Sequence, residues 1–124
     1  MKNKKEGGDS FSKILADKIK KATALSNDTR LKIVLSIFNT EILKIGHSLT
    51  LSQLEKMLNI GKQDLSYHLN VLQEVCIIDK ENHVEGTTKK TYYKVTKEGI
   101  KLLDILGISR DKVQELSRQL GIAA

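Results

Sequence analysis

The stretch Gly61-Lys62-Gln63-Asp64-Leu65-Ser66-Tyr67-His68-Leu69-Asn70-Val71-Leu72 decides the fold. Leu65, Leu69 and Leu72 recur at i, i+4 and i+7, so on a helix they form one apolar stripe. Lys62, Gln63, Ser66, Tyr67 and Asn70 fall on the other side. These side chains carry directed donors and acceptors, and none is acidic. A helix that buries leucines and turns Gln, Ser, Tyr and Asn outward is suited to reading base edges in a major groove. A plain solvated surface helix has the same pattern, so the flanking sequence has to separate the two.

Upstream, Ser52-Gln53-Leu54-Glu55 has the form of a capping box, Ser at the N-cap and Glu at N3, and opens a short helix ending near Leu58. Asn59-Ile60-Gly61 is a tight turn. Two short helices joined by such a turn make a helix-turn-helix. Downstream the period changes. Cys76-Ile77-Ile78-Asp79-Lys80 and Lys90-Thr91-Tyr92-Tyr93-Lys94-Val95 read as strands, and His83-Val84-Glu85-Gly86-Thr87-Thr88-Lys89 as the polar tip of a hairpin. This basic hairpin beside the second helix is a wing. The fold class expected is mainly α with a small β-hairpin wing (α+β), a winged helix-turn-helix with extra N- and C-terminal helices.

Those extra helices follow from the flanks. Residues 1–9 are polar, with Lys2, Lys4 and Lys5, and read as a flexible basic tail. Residues 10–124 read as one domain. Ser10 is the expected cap of a helix to about Leu25, with Phe11, Ile14, Leu15, Ile19 and Ala22 at helical spacing. That stripe is too apolar to stand alone in water and needs the domain or a partner subunit to cover it. Ser26-Asn27-Asp28-Thr29 marks a loop and cap. The next helix runs from about Arg30 past Phe38, with Leu31, Val34, Leu35 and Phe38 toward the core. Residues 40–47 have no assigned role. Thr96 caps a helix that Gly107 interrupts, and Ser109 caps a last one, with Val113, Leu116 and Leu120 on one side and Gly121 at its end.

The chain has 124 residues and a formal net charge of +6. A small basic domain favours a polyanion as partner, nucleic acid or an anionic membrane. Aromatic residues make up only 4% of the chain, so the core is built from Leu, Ile and Val. No apolar run approaches the roughly 18 residues that span a bilayer, so no membrane is expected. The N-terminal lysines are not followed by the apolar segment of a secretory signal. One cysteine, Cys76, excludes an internal disulfide. The expected location is the cytoplasm.

Three blocks, taken in order, resemble the ArsR-type repressors. Ala24-Leu25-Ser26-Asn27-Asp28-Thr29-Arg30-Leu31-Lys32-Ile33 resembles that family's entry to its second helix. Leu54-Glu55-Lys56-Met57-Leu58 with Leu65-Ser66-Tyr67-His68-Leu69-Asn70-Val71-Leu72 resembles its helix-turn-helix. Thr91-Tyr92-Tyr93-Lys94-Val95-Thr96-Lys97-Glu98-Gly99 resembles its wing exit. The resemblance covers about residues 22–106. It implies a homodimeric regulator, a repressor, that binds double-stranded DNA, with dimer contacts from residues of about 10–25 and 109–120. Two recognition helices related by a two-fold would then reach major grooves about 34 Å apart. The family's usual metal-sensing positions are not filled. The first helix of the helix-turn-helix has no Cys or His, and the last helix has Asp111 and Glu115 but no His. His47, His68 and His83 lie in separate elements. Neither metal nor cofactor is expected, and the sequence names no effector.

Within this reading Gln63, Ser66, Tyr67 and Asn70 are the candidate DNA contacts, with Lys62 at the helix start on a phosphate. Lys89, Lys90 and Lys94 are the candidate phosphate contacts of the wing, set against the alternative that hairpin lysines serve solubility. His68 reads as a structural histidine and Arg30 as a residue holding the start of the second helix. Cys76 reads as a small buried thiol, although relatives often have Gly there. Two other functions share the fold: an architectural DNA binder of little sequence preference, favoured by the basic tail and wing, and a winged-helix module that binds protein. An enzyme is not expected, because no nucleophile-base pair, phosphate-cradling glycine loop or convergent carboxylates are present.

Overall fold

The run Ile33-Val34-Leu35-Ser36-Ile37-Phe38 has a single small polar residue among apolar ones, and such a helical segment has to be enclosed. In the computed structural model, which describes residues 2–43 and 49–121, this run lies in the middle of the second helix. Every residue from 33 to 39 is buried. The elements follow in the order α1 (Lys2–Leu25), α2 (Asp28–Leu43), β1 (Leu49–Thr50), α3 (Leu51–Leu58), α4 (Lys62–Glu74), β2 (Ile78–Glu85), β3 (Thr88–Val95), α5 (Lys97–Ile105) and α6 (Arg110–Gln119). Helices α1, α3, α4 and α6 and strand β3 all pack on α2. The strands form one antiparallel sheet in the order β1-β3-β2.

The core around α2 gathers Leu54 from α3, Leu65, Leu69 and Leu72 from α4, Ile77 and Ile78 at the start of the wing, Val95, Leu102 and Leu103, and Val113 of α6. Each fully buried Leu or Ile contributes roughly 1.5–3 kcal/mol relative to exposure. Two polar atoms are enclosed with them. Asn39 Oδ1 and Ser117 Oγ are buried and have no hydrogen-bond partner among the described residues.

Several boundaries differ from the sequence reading. Helix α1 starts at Lys2, so Ser10 is not its cap; Lys4, Lys5 and Glu6 are good helix formers and no proline stops them. Its stripe does not pack on the domain. Phe11, Ile14, Leu15 and Ile19 are 68%, 57%, 49% and 56% exposed, and among the described residues α1 joins the core through Ala24 and Leu25. The cap of α3 is Thr50, not Ser52. Gln53 N donates to Thr50 Oγ1 (3.2 Å), and Thr50 N donates to Gln53 Oε1 (2.8 Å). Starting there lets Thr50 finish its pairing with Tyr92 in the sheet before the helix begins. The hairpin strands extend almost to the tip, Glu85 pairing with Thr88 across Gly86-Thr87. Gly86 has φ +64, the positive value that the first loop residue of a type II′ turn requires.

Cys76 is exposed, which corrects its reading as a buried thiol. Its φ of 61 explains the difference. It follows the last turn of α4 in the left-handed conformation that usually falls to glycine, so its side chain leaves the core. Its carbonyl accepts Thr96 Oγ1 (2.6 Å), and the same hydroxyl caps α5 by accepting Gly99 N (2.9 Å). Tyr92 and Tyr93 do not divide cleanly between core and solvent: Tyr92 is buried and Tyr93 half-buried. Of residues 40–47, Thr40 to Leu43 prolong α2, and the rest lie outside the described residues.

That prolongation has a structural use. Glu41 accepts a hydrogen bond from Val95 N (2.9 Å), joining α2 to the end of β3. Burial raises its carboxyl above the ordinary 4.5, against the lowering effects of the Val95 N–H and the charge of Lys94; Glu81 adds to the rise. The folded chain therefore favours the neutral acid more than the unfolded chain does. The stability it contributes is complete below about pH 4.5 and is lost as pH rises through the folded value. Glu41→Gln keeps an acceptor for Val95 and removes the charge. We expect its urea midpoint to exceed that of the wild type at pH 7, with the gap closing by pH 4; an equal gap at both pH values would refute this origin. A second prediction concerns Gly99, where an added Cβ would overlap the carbonyl oxygen of Ile77 and lie 2.8 Å from Val95 Cγ1. Gly99→Ala should cost about 1–3 kcal/mol in urea unfolding, because the backbone atoms it meets cannot swing aside.

Candidate nucleic-acid interface

Helix α3 ends at Asn59, whose φ of 53 turns the chain sharply. Asn is among the few residues that tolerate this left-handed conformation. Helix α4 then starts at Lys62 with Gly61 as its N-cap, and Leu65 N donates to Gly61 O (2.9 Å). Leu65, Leu69 and Leu72 are buried as one side of α4. This fixes the rotation of the helix about its axis, and rotation decides what faces solvent. Lys62, Gln63, Tyr67 and Asn70 are exposed together, and Ser66 is half-buried among them. Asp64 stands in the first turn, where a negative charge complements the helix dipole.

Tyr67 is 61% exposed. Its ring meets His68 edge to face, with centroids 5.3 Å apart. His68 faces the body of the molecule, where Arg30 Nη1 lies 3.2 Å from its Nδ1. Arg30 also donates from Nε to the carbonyl of Ala24 (2.7 Å). Its own backbone N–H donates to Asn27 Oδ1 (3.0 Å), so Asn27 caps α2. Arg30 therefore does more than hold the start of its helix: it ties the end of α1 to the side of α4. Burial lowers the His68 pKa from its ordinary 6.5, the Arg30 charge lowers it further, and Asp64 opposes both.

The wing lysines separate into two groups. Successive strand residues point to opposite faces of a sheet, so Lys89 and Lys90 face opposite ways. Both are exposed and sit toward the tip, opposite Val84 and His83. Lys94 lies at the base and is paired with Glu81 across the hairpin (Nζ to Oε1, 2.7 Å). Hydrogen bonds from Lys94 and His83 hold the Glu81 carboxyl below the usual range, and the same carboxylate raises Lys94. The ring of His83 stands edge-on to Tyr92, centroids 5.1 Å apart. The hairpin is less basic than its lysines suggest, since Asp79, Glu81 and Glu85 accompany Lys80, Lys89, Lys90 and Lys94. Between the start of α3 and β3 lies an open groove of about 460 Å³, lined by Thr50, Ser52, Gln53, Lys90 and Tyr92 among others. The pairing of β1 with β3 holds wing and α3 together at this groove.

Of the eight candidate contacts, the fold brings Lys62, Gln63, Ser66, Tyr67 and Asn70 onto one outward side of α4. It leaves Lys89 and Lys90 exposed toward the wing tip, and it gives Lys94 to Glu81. Glu81 was a signal that sequence reading passed over: with the hairpin register fixed, Glu81 and Lys94 fall on the same sheet face one step apart. The reach of Arg30 to His68, 38 residues away, had no local signal. Among the described residues no group of three or more His, Cys, Asp or Glu side chains is placed to hold a metal ion. No described helix is long and apolar enough to cross a membrane.

No protein-family model matches the chain, and no curated sequence does. Solved structures do. A homodimeric winged helix-turn-helix DNA-binding domain from Mycobacterium bovis, described as a possible ArsR-family transcriptional regulator, superposes with a TM-score of 0.61 at 18% identity, covering 89% of this chain and 91% of that one. A protein from Halomicrobium mukohataei with a GntR-superfamily winged-helix-turn-helix domain gives 0.64 at 20% identity, over 85% of this chain and 73% of that one. The transcriptional repressor BigR from Xylella fastidiosa gives 0.55 at 20% identity, over 93% and 91%. The chain has the winged helix-turn-helix fold.

Proposed function

We propose that this chain is a DNA-binding transcription regulator of the ArsR type, a repressor acting in the cytoplasm as a homodimer. The observation that carries the reading is the division of α4. Its leucines are buried to the last atom or nearly so, while Lys62, Gln63, Tyr67 and Asn70 are exposed on one side. In this reading α4 enters a major groove, where Gln63 and Asn70 bond base edges and Lys62, Ser66 and Tyr67 bond phosphates. Lys89 and Lys90 neutralise neighbouring phosphates. Lys94 joins them only by exchanging Glu81 for a phosphate.

The homodimer rests on α1. Phe11, Ile14, Leu15 and Ile19 make a long apolar stripe that nothing in the same chain covers among the described residues, and a second copy supplies the missing surface. Of residues 109–120, also expected at the dimer contact, Val113 is buried in the chain's own core and Leu116 and Leu120 pack against it. The mixed charge of the wing argues against an architectural binder that grips phosphates without regard to sequence.

Selection of bound duplexes from a random pool tests the reading. The expected product is an inverted repeat bound by two chains. Gln63→Ala and Asn70→Ala should each cost about 1–3 kcal/mol on the selected site and little on random DNA. Lys90→Ala should weaken both equally and reduce the salt slope by about 0.9. Equal affinity for selected and random duplexes, with a steep salt dependence, would establish the architectural role instead. No DNA affinity at all would leave the protein-binding module. For the assembly, Ile14→Glu should convert a dimer in sedimentation equilibrium to a monomer with an unchanged helical signal; an unaltered dimer would move the interface away from α1.

A further inference from the structure

The guanidinium of Arg30 bridges two elements, donating to Ala24 O at the end of α1 and facing His68 Nδ1 on α4. Arginine has no acceptor, so the contact is a hydrogen bond only if Nδ1 carries the lone pair. The imidazole is then neutral, with its proton on Nε2. We propose that Arg30 and His68 form a proton-operated clasp that positions the recognition helix: closed while the imidazole is neutral, opened when it takes a proton, with loss of DNA affinity.

The inference rests on the DNA-binding reading above for its consequence, but not for its chemistry. A proton on Nδ1 replaces an acceptor by a donor and sets two positive charges about 3 Å apart. The charged groups acting on His68 are Arg30 from α2 and Asp64 from its own helix. Helix α1 contributes the neutral Ala24 carbonyl on the far side of the same guanidinium. Asp64 favours the proton, but burial and Arg30 outweigh it, so the clasp opens below the ordinary histidine range near 6.5. Movement of His68 reaches the interface directly, because Tyr67 is the next residue and rests on its ring. Ala24 and Leu25 are the buried end of α1, so the clasp also links that helix to the reading surface. Arg30 and His68 are positioning residues and touch no DNA in this scheme.

The test measures affinity for a selected duplex from pH 7.5 to pH 5 at fixed ionic strength, in a His83→Gln background that silences the wing histidine. Protonation in general strengthens binding to a polyanion. The chain with His68 should nevertheless weaken about tenfold, the worth of one hydrogen bond to a charged group. His68→Gln, whose amide oxygen accepts from Arg30 and does not titrate, should hold steady or tighten. Parallel profiles for the two would overturn the proposal. A second readout needs no DNA: the imidazole proton shifts of His68 in the free protein. They should titrate below 6.5 and move upward in Arg30→Gln. A His68 titration unaffected by Arg30→Gln would refute the clasp even if DNA binding holds. The expected shift in a chain that binds no DNA would leave the clasp standing and remove the function.

Discussion

Helix α2 is enclosed on every side between residues 33 and 39, and the placement of the other elements follows from covering it. A helix buried all round forces its neighbours to spend their own apolar stripes on it. Helix α4 spends Leu65, Leu69 and Leu72 in the same core, and what remains outward is the row from Lys62 to Asn70. The surface proposed to read DNA is therefore a by-product of burial. Its precision comes from the core, because a rotation of α4 that shifted the candidate contacts would also lift leucines into water. Strand β3 is fixed to the same helix by Glu41, so the wing and α4 share one support.

The parts legible in the sequence were those written in local period and spacing. The leucine stripe, the turn after Leu58, the change from helical to alternating pattern after Val75 and the cap at Thr96 all survive in the structure. Local signals failed where two competed. Thr50-Leu51-Ser52-Gln53 and Ser52-Gln53-Leu54-Glu55 each offer a capping box, and only the demand of the sheet on Thr50 selects the first. They failed again where conformation overrode composition. Cys76 has the profile of a buried residue and occupies a glycine-like position.

What sequence could not show is long-range pairing. Lys94 counts as a cation on paper, but Glu81 reduces what it can offer to an anion. Arg30 sits in a block that resembles the entry of the ArsR second helix, which says where it is and not what it touches. His68 likewise belongs to a recognisable helix, and its partner lies 38 residues away. Such contacts depend on how elements cross, and no period or spacing encodes a crossing.

The two enclosed oxygens bear on how the molecule comes apart. Neither Asn39 Oδ1 nor Ser117 Oγ has a protein hydrogen-bond partner among the described residues, and a buried polar group left unmet costs roughly 1–3 kcal/mol. One lies on α2 and the other on α6. Opening that regained water for Ser117 would recover part of this cost, whereas opening α4 exposes leucines and recovers nothing of the kind. Opening α6 also takes Val113 out of the core, so the hydration of Ser117 offsets only part of the cost of that step. The enclosed Ser117 hydroxyl makes the contact of α6 with α2 weaker than its apolar residues alone would make it.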